Sequence, residues 1–307
     1  MPSATVDLYL YDLDAVKVTR LEAERILAAD EIERAARFKV AALRQRYAAA
    51  HLLLRVVLAS RLAISPPELT FRTGSHGKPE LVGGPAFNMS HCESTLLIGV
   101  ADEGQLGVDV ERVREIDRCE ELAQRNFSHA ERAEWHALPP EKQTRAFLRA
   151  WTRKESFLKA VGEGLSVLLG EFSVALHDAD GNALRDARRV ASDPDRWSIR
   201  SVALRDDTEA AVAWNRPRFD VRLVSEMDAR RLQSTHRLVS RSRSSARVPP
   251  HGARSRRHSR PRVGGRSLRE SAQHRSSLHE CDVELSCRCD SCGQPAVRQR
   301  AAASRVA

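Results

Sequence analysis

Across its 307 residues the chain lacks any run of 18 apolar residues, which excludes a long hydrophobic membrane span. Its N-terminus lacks a cationic stretch ahead of an apolar run and carries Asp7, Asp12 and Asp14 instead, so no secretory leader is expected. Cysteine is scarce. Only Cys92 and Cys119 precede residue 229, too few for a disulfide framework and in keeping with reduced thiols in a cytoplasmic protein. That same part has no cluster of His and Cys, which disfavours a zinc or iron site. Residues 229–307 lack Lys, Phe, Trp and Tyr altogether and hold 18 Arg against 5 acids. The overall charge of +9 therefore belongs to this tail, because the preceding residues carry 32 Lys+Arg against 36 Asp+Glu. Without aromatics the tail cannot build a core, and its Arg/Ser-rich composition predicts disorder.

The remaining residues are patterned. TVDLYLYDL over 5–13 alternates as a strand, and Ala41–Leu62, rich in Ala, Leu and Arg, reads as a long helix stopped by Ser65-Pro66-Pro67. Strands are expected near 69–72, 86–89 and 96–101, then at LGVDVE. Helices follow near 129–137 and 142–161, the second ended by Gly162 and Gly164, and then strands near 171–176, 197–204 and 209–215. Strand, two helices and several strands thus occur twice. Clustered strands favour an α+β class over a doubly wound sheet, with halves at 1–103 and 104–222 and the tail at 223–307.

Two motifs carry chemistry. In Gly107-Val108-Asp109-Val110-Glu111, strand alternation sends Asp109 and Glu111 to one face. In Trp151-Thr152-Arg153-Lys154-Glu155-Ser156, helical spacing puts Trp151, Glu155 and Lys159 on one stripe, with Phe147 a turn earlier. Glu155 and Lys159 alone would pass as a helix ion pair worth about 0.3–0.5 kcal/mol. Three acids without clustered His or Cys suit a hard ion such as Mg²⁺, held by carboxylates and a substrate phosphate.

Five blocks in order resemble the 4′-phosphopantetheinyl transferases, specifically their Sfp-like monomeric branch. They are Gly77-Lys78-Pro79, Phe87-Asn88-Met89-Ser90-His91, the Asp109/Glu111 strand, Trp151 to Lys159, and Gly162-Glu163-Gly164-Leu165-Ser166. Arg37-Phe38 and Arg46 to Arg55 look like the arginine-bearing helix of that family. The resemblance covers roughly residues 5–220. It implies two similar α+β halves around a cleft, and transfer of the phosphopantetheine arm of coenzyme A to a serine of an apo acyl or peptidyl carrier protein, releasing adenosine 3′,5′-bisphosphate. It implies further that Asp109, Glu111 and Glu155 hold Mg²⁺, that Glu155 is the general base, and that Lys159 and Lys154 neutralise phosphate. Arg46, Lys78, Ser90 and His91 match positions that bind coenzyme A. Two fused halves imply a monomer. Arg55 is expected to be structural.

The chain departs from the pattern at Cys92, where a hydroxyl residue is common, and at Asp30, Glu31 and Glu33, where basic residues are common. In the tail, Cys281, Cys287, Cys289 and Cys292 lack the paired spacing of a zinc site. The competing reading is a nucleic-acid-binding protein acting through this arginine tail. With no aromatics for stacking, such binding would be nonspecific and salt-sensitive.

Overall fold

The computed structural model describes residues 4–74, 77–162, 168–177 and 181–224. The expectations for Glu163, Gly164, Leu165 and Ser166, and for the tail from residue 225 with its cysteines, lie outside the described residues.

The chain opens with strand β1 (Thr5–Asp12), then helices α1 (Arg20–Ile26), α2 (Ala29–Ala36) and α3 (Ala41–Leu62). Thr19 starts α1 through a capping box with Glu22, and α3 ends at Ala63 in the left-handed conformation just before the prolines. Short strands β2 (Phe71–Thr73) and β3 (Pro79–Leu81) form a hairpin, followed by β4 (Ala86–Cys92) and β5 (Thr95–Ala101). The second half runs β6 (Leu106–Arg112), α4 (Cys119–Asn126), α5 (His129–His136) and α6 (Pro140–Val161). It continues with β7 (Ser173–Val174), β8 (Leu184–Asp186), β9 (Ser198–Ser201), β10 (Thr208–Trp214) and β11 (Asp220–Val224).

The class is α+β. One sheet has the order β11-β1-β5-β4, another β6-β10-β9. Helix α4 and the strands β8 and β11 escaped the sequence reading, because each is short and lacks a full period of apolar residues. Strand β11 runs to Val224, two residues past the boundary read from sequence, and pairs in parallel with β1. Its Arg222 makes a two-pronged bond to Asp7, at 2.7 and 2.8 Å. Burial alone would raise the Asp7 carboxyl, but Arg222 and Arg61 together hold it below its ordinary value.

The two halves repeat in register. Helices α2 and α5 have equal lengths, as do α3 and α6, and α2 and α5 each have a buried glutamate at the third position, Glu31 and Glu131. Both glutamates accept the backbone N–H that opens the helix, at Ala28 and Ser128. Glu31 also binds His51 and Arg55, so this departure from a basic pattern is a structural acid. Arg55 is buried, donating besides to the carbonyls of Pro66 and Leu69.

Apolar side chains gather in three clusters. One lies under α3, one under α6, and one between the sheets, where Leu8, Val108, Val110 and Val212 meet. Among the described residues no helix is long and apolar enough to cross a membrane.

Candidate active site

Strand β6 decides the site. Val108 and Val110 enter the core between the sheets, so Gly107, Asp109 and Glu111 face α6. Helix α6 lies directly on that face: a methyl group on Gly107 would run into the Ser156 carbonyl oxygen and come within 2.5 Å of the Ala160 nitrogen. Only glycine lets the two backbones approach this closely.

That approach brings Lys159 to Asp109, Nζ to Oδ1 at 2.6 Å, while Ser90 of β4 donates to the same oxygen at 2.8 Å. Lys159 also donates to Ser90 Oγ at 3.0 Å, closing a three-membered cluster. The other Asp109 oxygen, Oδ2, is buried and has no hydrogen-bond partner among the described residues. Glu111 receives Cys92 Sγ at 3.4 Å and Arg114 Nη1 at 3.3 Å. Burial, and then the neighbouring Asp109 charge, push its carboxyl up to about 9. Glu155 is half-buried one turn before Lys159 on α6, and Trp151 a turn earlier stacks on Phe147 at 5.9 Å. Among the described residues, no three His, Cys, Asp or Glu side chains stand close enough to hold a metal ion together. The two buried carboxylates, one with an unpartnered oxygen and one driven towards its protonated form, nevertheless have the chemistry a hard cation satisfies.

The expected cofactor cations are dispersed. Arg46 makes a two-pronged bond to Asp14, at 2.8 and 2.6 Å, and feels the charge of Glu93 in the turn after His91. His91 follows Phe87 and Met89 on the β4 face towards α3, opposite to Ser90. Lys78 donates to the carbonyls of Leu106, at 2.9 Å, and Ala160, at 3.1 Å, where it caps the end of α6. Ser90 meets Asp109, which sets His91 level with Val110, so Lys78 sits roughly 13 Å away along β6. Lys78 and His91 thus stand at different levels along β6.

Lys154 corrects the sequence reading more sharply. Its ammonium is wholly buried against Glu131 at 2.9 Å and donates to the carbonyls of Leu169 and Phe172, both at 2.7 Å. Burial lowers its pKa, against the pull of Glu131. It points into the core behind α6, away from the acids.

Sequence reasoning also missed Glu209. In the β6–β10 ladder it pairs with Glu111, and it is held by Arg145 at 2.6 Å and Arg149 at 3.1 Å. Nothing local marks it, since its neighbours in sequence read as an ordinary strand.

Comparison with known proteins agrees with this architecture. Residues 105–214 match the model of the 4′-phosphopantetheinyl transferase superfamily, a segment holding Asp109, Glu111, Glu155 and Lys159 but none of the arginine tail. The chain is 33% identical over 216 residues to the 4′-phosphopantetheinyl transferase HetI of Nostoc sp., covering 69% of this chain and 88% of that protein. It is 44% identical over 109 residues to AcpT of Salmonella typhi, covering 34% and 55% respectively. Identity to Sfp of Bacillus subtilis is 35% over 127 residues, covering 41% and 55%. With most of HetI matched along its length, and the strand and helix that bear the acids inside the family segment, this chain belongs to the 4′-phosphopantetheinyl transferase superfamily.

Proposed function

We propose the following division of labour in an enzyme that moves the 4′-phosphopantetheine arm of coenzyme A onto a serine of an acyl or peptidyl carrier protein. Asp109, Glu111 and Glu155 would hold Mg²⁺, the ion drawing together carboxylates that stand apart without it. When bound, the ion neutralises charge on the pyrophosphate of coenzyme A. Glu155, half-buried at the edge of the acid face, takes the proton of the incoming serine hydroxyl. The serine oxygen bonds to the phosphorus that carries the arm, the pyrophosphate P–O bond breaks, and adenosine 3′,5′-bisphosphate leaves. Lys159 stabilises the departing phosphate, and its present bond to Asp109 keeps it beside the reacting atoms. Ser90 orients Asp109. Arg46 and His91, at one end of β4, are suited to the 3′-phosphate, Arg46 exchanging Asp14 for the ligand. Two fused halves complete the cleft within a cytoplasmic monomer.

The observation carrying this reading is the buried Asp109 Oδ2, without a hydrogen-bond partner among the described residues, on the strand face that Asp109 shares with Glu111. The test incubates the full chain with coenzyme A, Mg²⁺ and apo-carriers of several pathways, and reads the arm on serine by intact mass. Modification is expected with Mg²⁺ and not with chelator. Glu155→Ala and Asp109→Ala should each lose about 10²–10⁴-fold in kcat while remaining folded. Near wild-type transfer by either variant would refute the assigned roles.

A further inference from the structure

Strands β4 and β6 lie together yet belong to different sheets. Side chains bridge them. Asn88 Oδ1 accepts the Val108 N–H at 2.9 Å, Ser90 Oγ donates to Asp109 Oδ1 at 2.8 Å, and Cys92 Sγ donates to Glu111 Oε2 at 3.4 Å. Residues 88, 90 and 92 share one face of β4, so this ladder climbs β6 in step. The N-terminal half thereby supplies a holder for Asp109 and for Glu111.

We propose that Ser90 and Cys92 are positioning residues for the acid pair, and that the Cys92 thiol, through its bond to Glu111, sets the affinity of the pair for its divalent cation. The proposal rests on the Mg²⁺ reading given above. Ser90 and Lys159 both use Oδ1 of Asp109, which leaves Oδ2 as the oxygen without a partner. Glu111 has one more rotatable bond than aspartate and needs a holder of its own. Arg114, which also reaches Glu111, sits at the surface with a side chain 37% exposed, whereas Cys92 is 3% exposed and braced within a paired strand. Groups behind a metal ligand fix its orientation, and losing one costs about 10–100-fold in metal affinity. A thiol serves here because it donates a hydrogen bond while packing like a small apolar group.

The experiment titrates Mg²⁺ calorimetrically into the full chain with coenzyme A bound, comparing wild type, Cys92→Ala and Cys92→Ser, each checked for its melting temperature. Cys92→Ala should bind Mg²⁺ about 10–100-fold more weakly, and Cys92→Ser, which keeps a donor, should recover most of that loss. Wild-type affinity in Cys92→Ala overturns the proposal, as does a Cys92→Ser variant as weak as Cys92→Ala. A wild-type protein that fails to bind Mg²⁺ defeats the metal reading instead. Independently of metal, the infrared S–H band lost in Cys92→Ser marks the thiol in the wild type. It should shift in Glu111→Gln, and an unmoved band overturns the contact.

Discussion

Glu209 stands directly opposite Glu111 across the antiparallel pair of β6 and β10, so two buried carboxylates project from one sheet face. They coexist because cations divide them: Arg145 and Arg149 of α6 hold Glu209, while Arg114 approaches Glu111 from the rim. The Glu209 clamp also ties the N-terminal part of α6 to the sheet. Glu209→Gln takes that carboxylate charge from Arg149, whose side chain is only 14% exposed. The expected loss is about 2–3 kcal/mol by urea unfolding, below the 3–5 kcal/mol of a wholly buried pair because Arg145 is partly in water. An unchanged unfolding midpoint would mean that the clamp adds nothing.

Gly107→Ala tests the close approach that forms the site. The added methyl meets α6 backbone, which cannot swing aside as a side chain can. A loss of about 1–3 kcal/mol or more is expected, together with a fall in transfer rate, since Lys159 and Glu155 ride on the displaced helix. A variant of normal stability and rate would show that α6 sits further from β6 than described.

Lys154→Met separates a core role from a cofactor role. Among the described residues, removing the ammonium leaves Glu131 buried with only backbone donors, those of Ser128 and Val174. Stability should fall by about 3–5 kcal/mol, while KM for coenzyme A, measured on the folded fraction, stays the same. Raised KM at undiminished stability would return Lys154 to the cofactor.

Lys78 predicts a pH dependence. Burial pushes its ammonium from 10.5 down to about 8, against a weaker pull from Glu80. Because the folded value lies below the unfolded one, the cost of burying the charge is fully present below pH 8. It is relieved as pH rises from about 8 towards 10.5. Wild type should therefore gain on Lys78→Met by about 3 kcal/mol across that window. A stability difference that is flat, or that falls with pH, would show that Lys78 is not desolvated at the Leu106 and Ala160 carbonyls.

Much of this was readable without coordinates. Alternation in LGVDVE places Asp109 and Glu111 on one face, and the stripe of Trp151, Glu155 and Lys159 reads as the half-buried edge of α6, while its inward side is made by Phe147, Ala150, Lys154 and Phe157. Both are properties of a short stretch, governed by the pleat and the helical turn. Arg55 reads correctly as structural for a similar reason, lying amid a long buried run of α3. Strands β8 and β11 carry too few residues for a period to show, α4 has few apolar residues among its charged ones, and β11 acquires its place only by pairing with β1.

The amino-acid order by itself determined the family, the α+β class and the two acid-bearing segments, because these follow from local periodicity and from motifs kept in sequence. Tertiary structure alone decided where each charge went. Lys154 and Lys159 belong to one motif, yet residues five apart on a helix point about 140° apart. One ammonium is sealed against Glu131 and the other is delivered to Asp109. Glu209 reaches Glu111, and Cys92 reaches it too, only because strands remote in sequence lie side by side, a pairing set by packing rather than by any local signal.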